Sequence, residues 1–239
     1  MRVEPYDIGS VVHVIKRGTR GTPITKDAAD KRRFVRLLYY LNDEFQNRGG
    51  DGWEKEVRAL PPFARPPSWP QQRSLTNILA WTLMPNHFHL ILQETKEGGI
   101  SKFMQRLGGS MSTHYNAKYS EQGSLFQSAF RLRIIDTDEY LRYCTAYVMV
   151  KNTFELAPGG LAKAAGNFED AWRWALTYPY SSLPYYGSDA SSVIIKGEDN
   201  ILKEVFVSAK EFKRDAKDMF LAYSERRSEQ FADIILENW

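Results

Sequence analysis

Two histidines separated by one apolar residue are the side chains of this sequence best suited to chemistry. They are His87 and His89, in the segment 84–92 (MPNHFHLIL). The aliphatic end of this segment predicts a buried β-strand, in which alternate side chains share a face, so both imidazoles can reach one ion. Imidazole nitrogen binds divalent cations, and two rigid ligands leave positions open for water or substrate oxygens. The alternative is a pair of half-buried, hydrogen-bonded histidines that bind nothing.

Arginines and tyrosines elsewhere in the chain suggest what a metal would act on. Residues 130–135 alternate as a strand with Arg131 and Arg133 on one side, and residues 139–151 form a tyrosine-rich helical pattern. A divalent metal and guanidinium groups both neutralise charge that builds on phosphate oxygens, which favours phosphodiester chemistry. A tyrosine hydroxyl has an ordinary pKa near 10, so its attack on phosphorus would need a polarised phosphate.

The elements that must position these residues alternate between strands and helices. β-branched or alternating runs predict strands over 11–15, 87–92 and 130–135, with residues 77–82 leading into the second of these. Apolar spacings of three and four predict helical stripes over 34–45, 100–115, 139–151, 168–176 and 209–223. This order predicts an α+β fold: a mainly antiparallel sheet with helices on one face and its other face left free.

The composition is that of a globular protein. The chain has 239 residues, 43% of them hydrophobic, and a net charge of only +3. No apolar run is long enough to cross a bilayer and the N-terminus has no hydrophobic signal core, so we expect a cytoplasmic protein. The single cysteine, Cys144, leaves nitrogen and oxygen as the ligands for any metal.

Glycine, proline and the loss of periodicity divide the chain. We assign residues 1–187 to one domain that contains an irregular, Pro/Trp-rich insertion at 47–73. Residues 188–239 form a C-terminal extension with one predicted helix. Trp53 and Trp69, in the insertion, are expected either to pack there or to stack on unpaired bases.

Several short blocks, in order and at characteristic spacing, resemble a known family. The blocks are His13 with Arg17-Gly18, residues 84–89, 104–107, 115–119 and 123–127, Phe130-Arg131, and residues 138–141. They resemble the single-tyrosine HUH transposases of the insertion-sequence-200 type, and within these the REP-associated tyrosine transposases. The resemblance covers about residues 6 to 187.

The resemblance implies a fold, a reaction and a set of site residues. It implies a ferredoxin/RRM-like antiparallel sheet of the HUH endonuclease type, with His87 and His89 binding Mg²⁺ or Mn²⁺. Tyr147 is the matched nucleophile, which would attack single-stranded DNA and leave a 5′-phosphotyrosine link. In the family an amide one turn after the tyrosine can complete the metal site, but Lys151 aligns there. Asn152, one position later, would replace that amide only if the helix were locally overwound.

Basic residues flank the predicted site and are expected to position DNA phosphates without reading bases. They are Arg17, Arg20, Lys102, Arg106, Arg131, Arg133 and Lys151. The partner implied is single-stranded DNA, typically hairpin-forming, with the protein a monomer or homodimer and no membrane involved. His13 is expected to be a hydrogen-bonded strand histidine that could approach the site.

Two other functions remain open at this stage. The lysine at position 151 suits a non-catalytic protein of the same fold that binds structured single-stranded DNA. A metal-dependent hydrolase of another substrate would keep its turnover without Tyr147.

Overall fold

A four-stranded antiparallel sheet forms the centre of the molecule in the computed structural model, which describes residues 5–45, 52–188, 190–195 and 200–224. The strands are β1 (Val11–Arg17), β2 (Thr76–Leu83), β3 (His87–Glu94) and β4 (Arg131–Ile135). They lie in the order β2-β3-β1-β4, and each neighbouring pair is antiparallel. The predicted α+β class and antiparallel sheet are therefore confirmed.

Two helices cover the face of the sheet that bears Phe88. Helix α1 (Ala28–Tyr40) begins after Asp27, whose side chain accepts a hydrogen bond from a backbone N–H of the first turn. Its Phe34 ring lies 5.1 Å from the Phe88 ring. Helix α3 (Gly99–Tyr119) packs beside it and buries its apolar stripe, as the spacing predicts. Both elements thus contribute to one apolar layer.

The opposite face of the sheet is covered as well. Helix α4 (Asp138–Ala146) begins after the capping residue Thr137 and continues into a π-helical turn (Tyr147–Lys151) and helix α5 (Asn152–Leu156). The π-helical turn packs against β2 and β3. The expectation that this face is left free is therefore wrong, because the tyrosine helix returns to the sheet through contacts between residues distant in sequence.

The described part of the predicted insertion, from residue 52 onward, contains one helix, α2 (Gly52–Val57), followed by turns. Trp53 is buried with its ring 4.9 Å from that of Tyr40. The Trp69 indole N–H donates to a Glu56 carboxylate oxygen at 2.7 Å. Trp53 therefore packs against α1, and Trp69 bonds within the segment. Residues 47–51 lie outside the described residues.

The described residues of the C-terminal half form five helices beyond those named. They are α6 (Gly160–Gly166), α7 (Phe168–Ala175), α8 (Leu183–Gly187), α9 (Ile201–Val205) and α10 (Ala209–Ser224). Helix α10 packs on α4, α6, α8 and the π-helical turn. Before α8, the segment 180–182 bonds to β2 and covers the edge of the sheet. No helix among the described residues is long and apolar enough to cross a membrane.

A buried carboxylate, Asp30, ties the start of α1 to the end of α3. It accepts hydrogen bonds from the Tyr119 hydroxyl at 2.6 Å, the Lys118 ammonium at 2.6 Å and the Lys26 backbone N–H at 2.9 Å. His114 Nε2 lies 3.3 Å from the same carboxylate. Burial alone would raise the pKa of Asp30, but these hydrogen bonds hold it well below its usual value.

We predict that Asp30→Asn lowers the free energy of unfolding at pH 7 by about 2 kcal/mol, because it removes charge-assisted hydrogen bonds from a buried site. A carboxylate whose pKa is lowered in the folded state stabilises that state above the unfolded pKa of about 4, and this contribution fades as the pH falls. Denaturant unfolding from pH 7 to pH 3 should show the difference from wild type shrinking below about pH 4. Exposed Asp7→Asn is the control, and a difference that does not change with pH would contradict the account.

Candidate functional site

His87 and His89 lie on one face of β3, with their ring centroids 4.9 Å apart. Phe88, between them, points into the apolar layer on the other side of the sheet. Both histidines are buried, His89 completely. The period of two in a strand therefore brings the imidazoles together against a rigid support.

Each of these imidazoles is held by a hydrogen bond at its Nδ1 atom. His87 Nδ1 lies 2.7 Å from Asn86 Oδ1, and His89 Nδ1 lies 2.9 Å from His13 Nε2. Nε2 is then the nitrogen of each ring that can coordinate a metal. Metal-binding histidines commonly donate their other ring N–H to such an acceptor, so this pair fits a metal site.

Tyr147 packs against this histidine pair from the helix side. Its ring centroid lies 5.7 Å from that of His89 and 6.2 Å from that of His13, both edge to face. Tyr143 lies one turn earlier, stacked at 6.4 Å from Tyr147. The structure thus brings the Tyr147 ring into contact with both His89 and His13.

Lys151 is buried beside Tyr147. Its ammonium donates to a Glu155 carboxylate oxygen at 2.8 Å and lies 5.1 Å from the centroid of the Tyr147 ring and 5.9 Å from that of Tyr223. An ammonium ion that donates to a carboxylate is a donor and offers no lone pair to a metal. It is suited to contact a phosphate or to orient the tyrosine.

The π-helical turn changes which residue follows Tyr147 by one turn. In an α-helix the N–H of residue i+4 bonds to the carbonyl of residue i, whereas in a π-turn residue i+5 does so. Here the Asn152 N–H donates to the Tyr147 carbonyl. In the backbone hydrogen-bond pattern, Asn152 therefore takes the position after Tyr147 that residue i+4 has in an α-helix, through widening of the helix and not through the overwinding that the sequence suggested.

The Asn152 side chain is completely buried. Among the described residues, neither its Oδ1 nor its Nδ2 has a hydrogen-bond partner, a feature it shares with the hydroxyls of Thr145 and Thr153 on the same helix. A buried polar atom without a partner is costly and calls for an explanation, of which a ligand is one.

Three of the predicted DNA-contacting arginines share the face that bears His87 and His89. In the register of the sheet, Arg17 lies opposite His87, and Arg133 lies opposite His13. Arg131 lies opposite Ile15, which in turn lies opposite His89. Residues directly opposite each other in an antiparallel pair point to the same face. The histidine face therefore also carries three guanidinium groups suited to an anion.

The other predicted DNA contacts lie elsewhere. Arg20 is exposed in the turn after β1, with a left-handed backbone (φ +54°). Lys102 and Arg106 are on α3, which packs on the opposite face of the sheet. The Arg106 guanidinium is half-buried and donates to the Asp43 carbonyl. The structure therefore does not bring Lys102 and Arg106 to the histidines.

The donor atoms available suit a metal with nitrogen and oxygen ligands. The described part of the chain contains no group of three or more His, Cys, Asp and Glu side chains arranged around one point. Burial raises the pKa of the Cys144 thiol well above its usual value, which disfavours a thiolate. Two imidazoles, an amide and substrate oxygens are a donor set that Mg²⁺ or Mn²⁺ accepts.

Asn86 and Gly18 are site residues that sequence reasoning did not single out for their contacts. The Gly18 N–H donates to the Asn86 carbonyl at 2.8 Å, and this fixes the backbone of the residue whose side chain holds His87. A Cβ on Gly18 would lie 2.2 Å from the Thr22 carbonyl oxygen. The sequence held one signal for this contact: the Arg17-Gly18 pair, which lies at the end of β1, where the chain meets the bend before β3.

One segment of the chain matches a known protein family. Residues 71–151 match the family model described as "Transposase IS200 like", a stretch that contains His87, His89 and Tyr147. The predicted resemblance to insertion-sequence-200-like transposases is thereby confirmed over this stretch.

The solved "Structure of the REP associates tyrosine transposase bound to a REP hairpin" is 12% identical, covers 84% of this chain and 96% of that chain, and has a TM-score of 0.40. No curated protein matches the chain.

We predict that Gly18→Ala lowers the free energy of unfolding by about 1–3 kcal/mol, because the added methyl group meets backbone atoms that cannot rotate away. Gly109→Ala, at an exposed helical position with nothing within 4 Å of the added carbon, should instead be neutral or stabilising by up to about 1 kcal/mol. Chemical denaturation measures both. Equal effects of the two substitutions would show that the close approach at Gly18 does not matter.

Proposed function

We propose that this protein cleaves single-stranded DNA and transfers the strand through a covalent 5′-phosphotyrosine intermediate, with a metal cofactor. The observation that carries the proposal is the packing of Tyr147 against His89 and His13 on one sheet face. The same face holds Arg17, Arg131 and the second candidate ligand, His87. The family match over residues 71–151 supports the same class of reaction.

In this proposal the Tyr147 hydroxyl oxygen attacks the scissile phosphorus and loses its proton to solvent. The bond to the 3′ oxygen breaks, and that oxygen leaves as a 3′-hydroxyl. A 3′-hydroxyl of a later strand then attacks the phosphotyrosine and restores the tyrosine. Mg²⁺ or Mn²⁺ held by His87 and His89 would supply polarisation of the phosphate.

The surrounding side chains have separate tasks. Arg17, Arg131 and Arg133 balance phosphate charge on the histidine face. Lys151, near the Tyr147 ring, can contact the same phosphate once it leaves Glu155. Because Tyr147 is only 5% exposed beneath Phe220 and Tyr223, the side chains of α10 must move for DNA to reach it.

We assign the third protein ligand to Asn152. Two observations support the assignment: the Asn152 N–H bonds to the Tyr147 carbonyl across the widened turn, and the amide of Asn152 is buried without a hydrogen-bond partner among the described residues. A one-residue insertion can be accommodated in a helix as a π-turn. Such an insertion would explain why Lys151, and not Asn152, aligns in sequence with the amide of the family.

The partner in this proposal is hairpin-forming single-stranded DNA, which the protein binds in the cytoplasm as a monomer or homodimer. The domain spans residues 1–187, and 188–239 form an extension. Any DNA contacts of Lys102, Arg106 and Arg20 would be made by parts of the DNA that extend away from the histidine face of the sheet.

The second candidate function is DNA binding without cleavage. It is favoured by the ion pair of the buried Lys151 with the exposed Glu155, since this pair lies next to Tyr147, the candidate nucleophile. With this function, the protein would bind hairpin DNA but would form no covalent adduct with the DNA, whichever divalent metal is present.

We predict that wild-type protein incubated with labelled hairpin DNA and Mn²⁺ forms an adduct that survives denaturing electrophoresis, and that Tyr147→Phe abolishes it. Tyr143→Phe, which keeps the stacked aromatic ring one turn away, is the matched control and should retain the adduct. An adduct formed by Tyr147→Phe would exclude this nucleophile. Binding without an adduct for wild type, over several metals and substrates, would favour the second candidate.

We also predict that Asn152→Ala weakens Mn²⁺ binding at least about tenfold, because a ligand is lost. Deleting Lys151 should preserve binding, since the shortened helix returns the asparagine to the i+4 position of a regular α-helix. Lys151→Ala is the control for loss of the lysine alone. Isothermal titration of each purified variant measures the affinity, and unchanged binding by Asn152→Ala would contradict the assignment.

A further inference from the structure

His13 is a third histidine in the site, and it comes from a different strand. It lies in β1, opposite Ile91 of β3, and is 1% exposed. Its ring stacks on His89 with centroids 5.1 Å apart and an interplanar angle of 21°. Its Nε2 lies 2.9 Å from His89 Nδ1. The two rings are thus joined both by stacking and by a hydrogen bond.

This hydrogen bond has two possible directions, with different consequences for a metal. If His13 donates, His89 accepts at Nδ1 and, when neutral, carries its own proton on Nε2, where it blocks coordination. If His89 donates from Nδ1, its Nε2 lone pair is available. His13 must then accept at Nε2 and carry its proton on Nδ1. Which histidine donates therefore decides whether His89 can be a ligand.

We propose that His13 is a positioning residue that accepts the His89 Nδ1–H hydrogen bond and so holds His89 as the Nδ1–H tautomer, with its Nε2 lone pair directed to the metal. The inference rests on the proposed function, since it concerns the same site. It extends that function by assigning to His13 a task that neither the family match nor the resemblance gives it.

The contrast between the two candidate ligands supports this role. The Nδ1 of His87 is bonded to the Oδ1 of Asn86, its neighbour in sequence, so that contact is local. The Nδ1 of His89 is bonded to the Nε2 of His13, a residue 76 positions away, across the β1–β3 pairing. The state of His89 therefore depends on correct sheet assembly. The ring of His13 also lies edge-on to Tyr147, so one side chain fixes the contacts of both the ligand and the nucleophile.

The direct test is the tautomer of His89 in the metal-free protein. The chain has only four histidines, so ¹⁵N-labelled histidine can be assigned by two-dimensional NMR that correlates ring nitrogens with ring protons. We expect His89 to carry its proton on Nδ1 in wild type and to shift towards the Nε2–H form in His13→Phe. Because no metal or DNA is present, this result does not depend on the proposed reaction. A His89 that is Nε2–H in wild type, or unchanged in the variant, would overturn the proposal.

Two conservative variants of His13 distinguish a role in positioning His89 from a role in packing. Gln carries a polar atom near the place of the His13 Nε2, whereas Asn carries one near the place of Nδ1, away from His89. We expect His13→Gln to keep the Nδ1–H tautomer of His89 and Mn²⁺ affinity near wild type. His13→Asn and His13→Phe should lose affinity about 10- to 100-fold.

The controls distinguish this proposal from general destabilisation and from failure of the proposed function. His114→Gln removes an imidazole that bonds to Asp30 on the other side of the sheet, and it should leave Mn²⁺ binding unchanged. Thermal unfolding checks that each variant is folded. Equal affinity losses in His13→Gln and His13→Asn would overturn the positioning role. Absence of Mn²⁺ binding in wild type would count against the proposed function, while the tautomer measurement would still decide the role of His13.

Discussion

The antiparallel pairing of β1 with β3 is the constraint on which the rest of the site depends. It brings His13 within hydrogen-bonding distance of His89 and sets Arg17 opposite His87. Because side chains in a strand alternate with a period of two, a shift of one residue in this register would send one set of these side chains to the apolar side of the sheet. The residues under α1 and α3, including Phe88, prevent that shift, since they fit only the present register.

A second constraint is that a buried face of polar side chains must be satisfied by internal partners. Burial of an imidazole without a hydrogen bond destabilises the folded state, and here Asn86 and His13 supply those bonds. The tyrosine helix then closes over this face, with Tyr147 in contact with both His13 and His89.

Local signals in the sequence predicted the elements well but not their long-range relations. The period of two identified His87 and His89 as neighbours on a strand, and helical spacing identified the stripe of α3. The resemblance, not the pattern, pointed to Tyr147. The sequence could not show that the tyrosine helix covers the second face, because that depends on contacts between distant segments. Nor could it reveal the π-helical turn, since one extra residue has no signature until the helix is packed.

The most direct measurement is an X-ray structure of the full chain crystallised with Mn²⁺, with anomalous scattering used to locate the ion. The account predicts an anomalous peak within bonding distance of Nε2 of both His87 and His89, with the Asn152 amide oxygen turned to it and Tyr147 alongside. A peak bonded to Nδ1 of either ring, or Mn²⁺ found only at other places in crystals where this face is accessible, would contradict it.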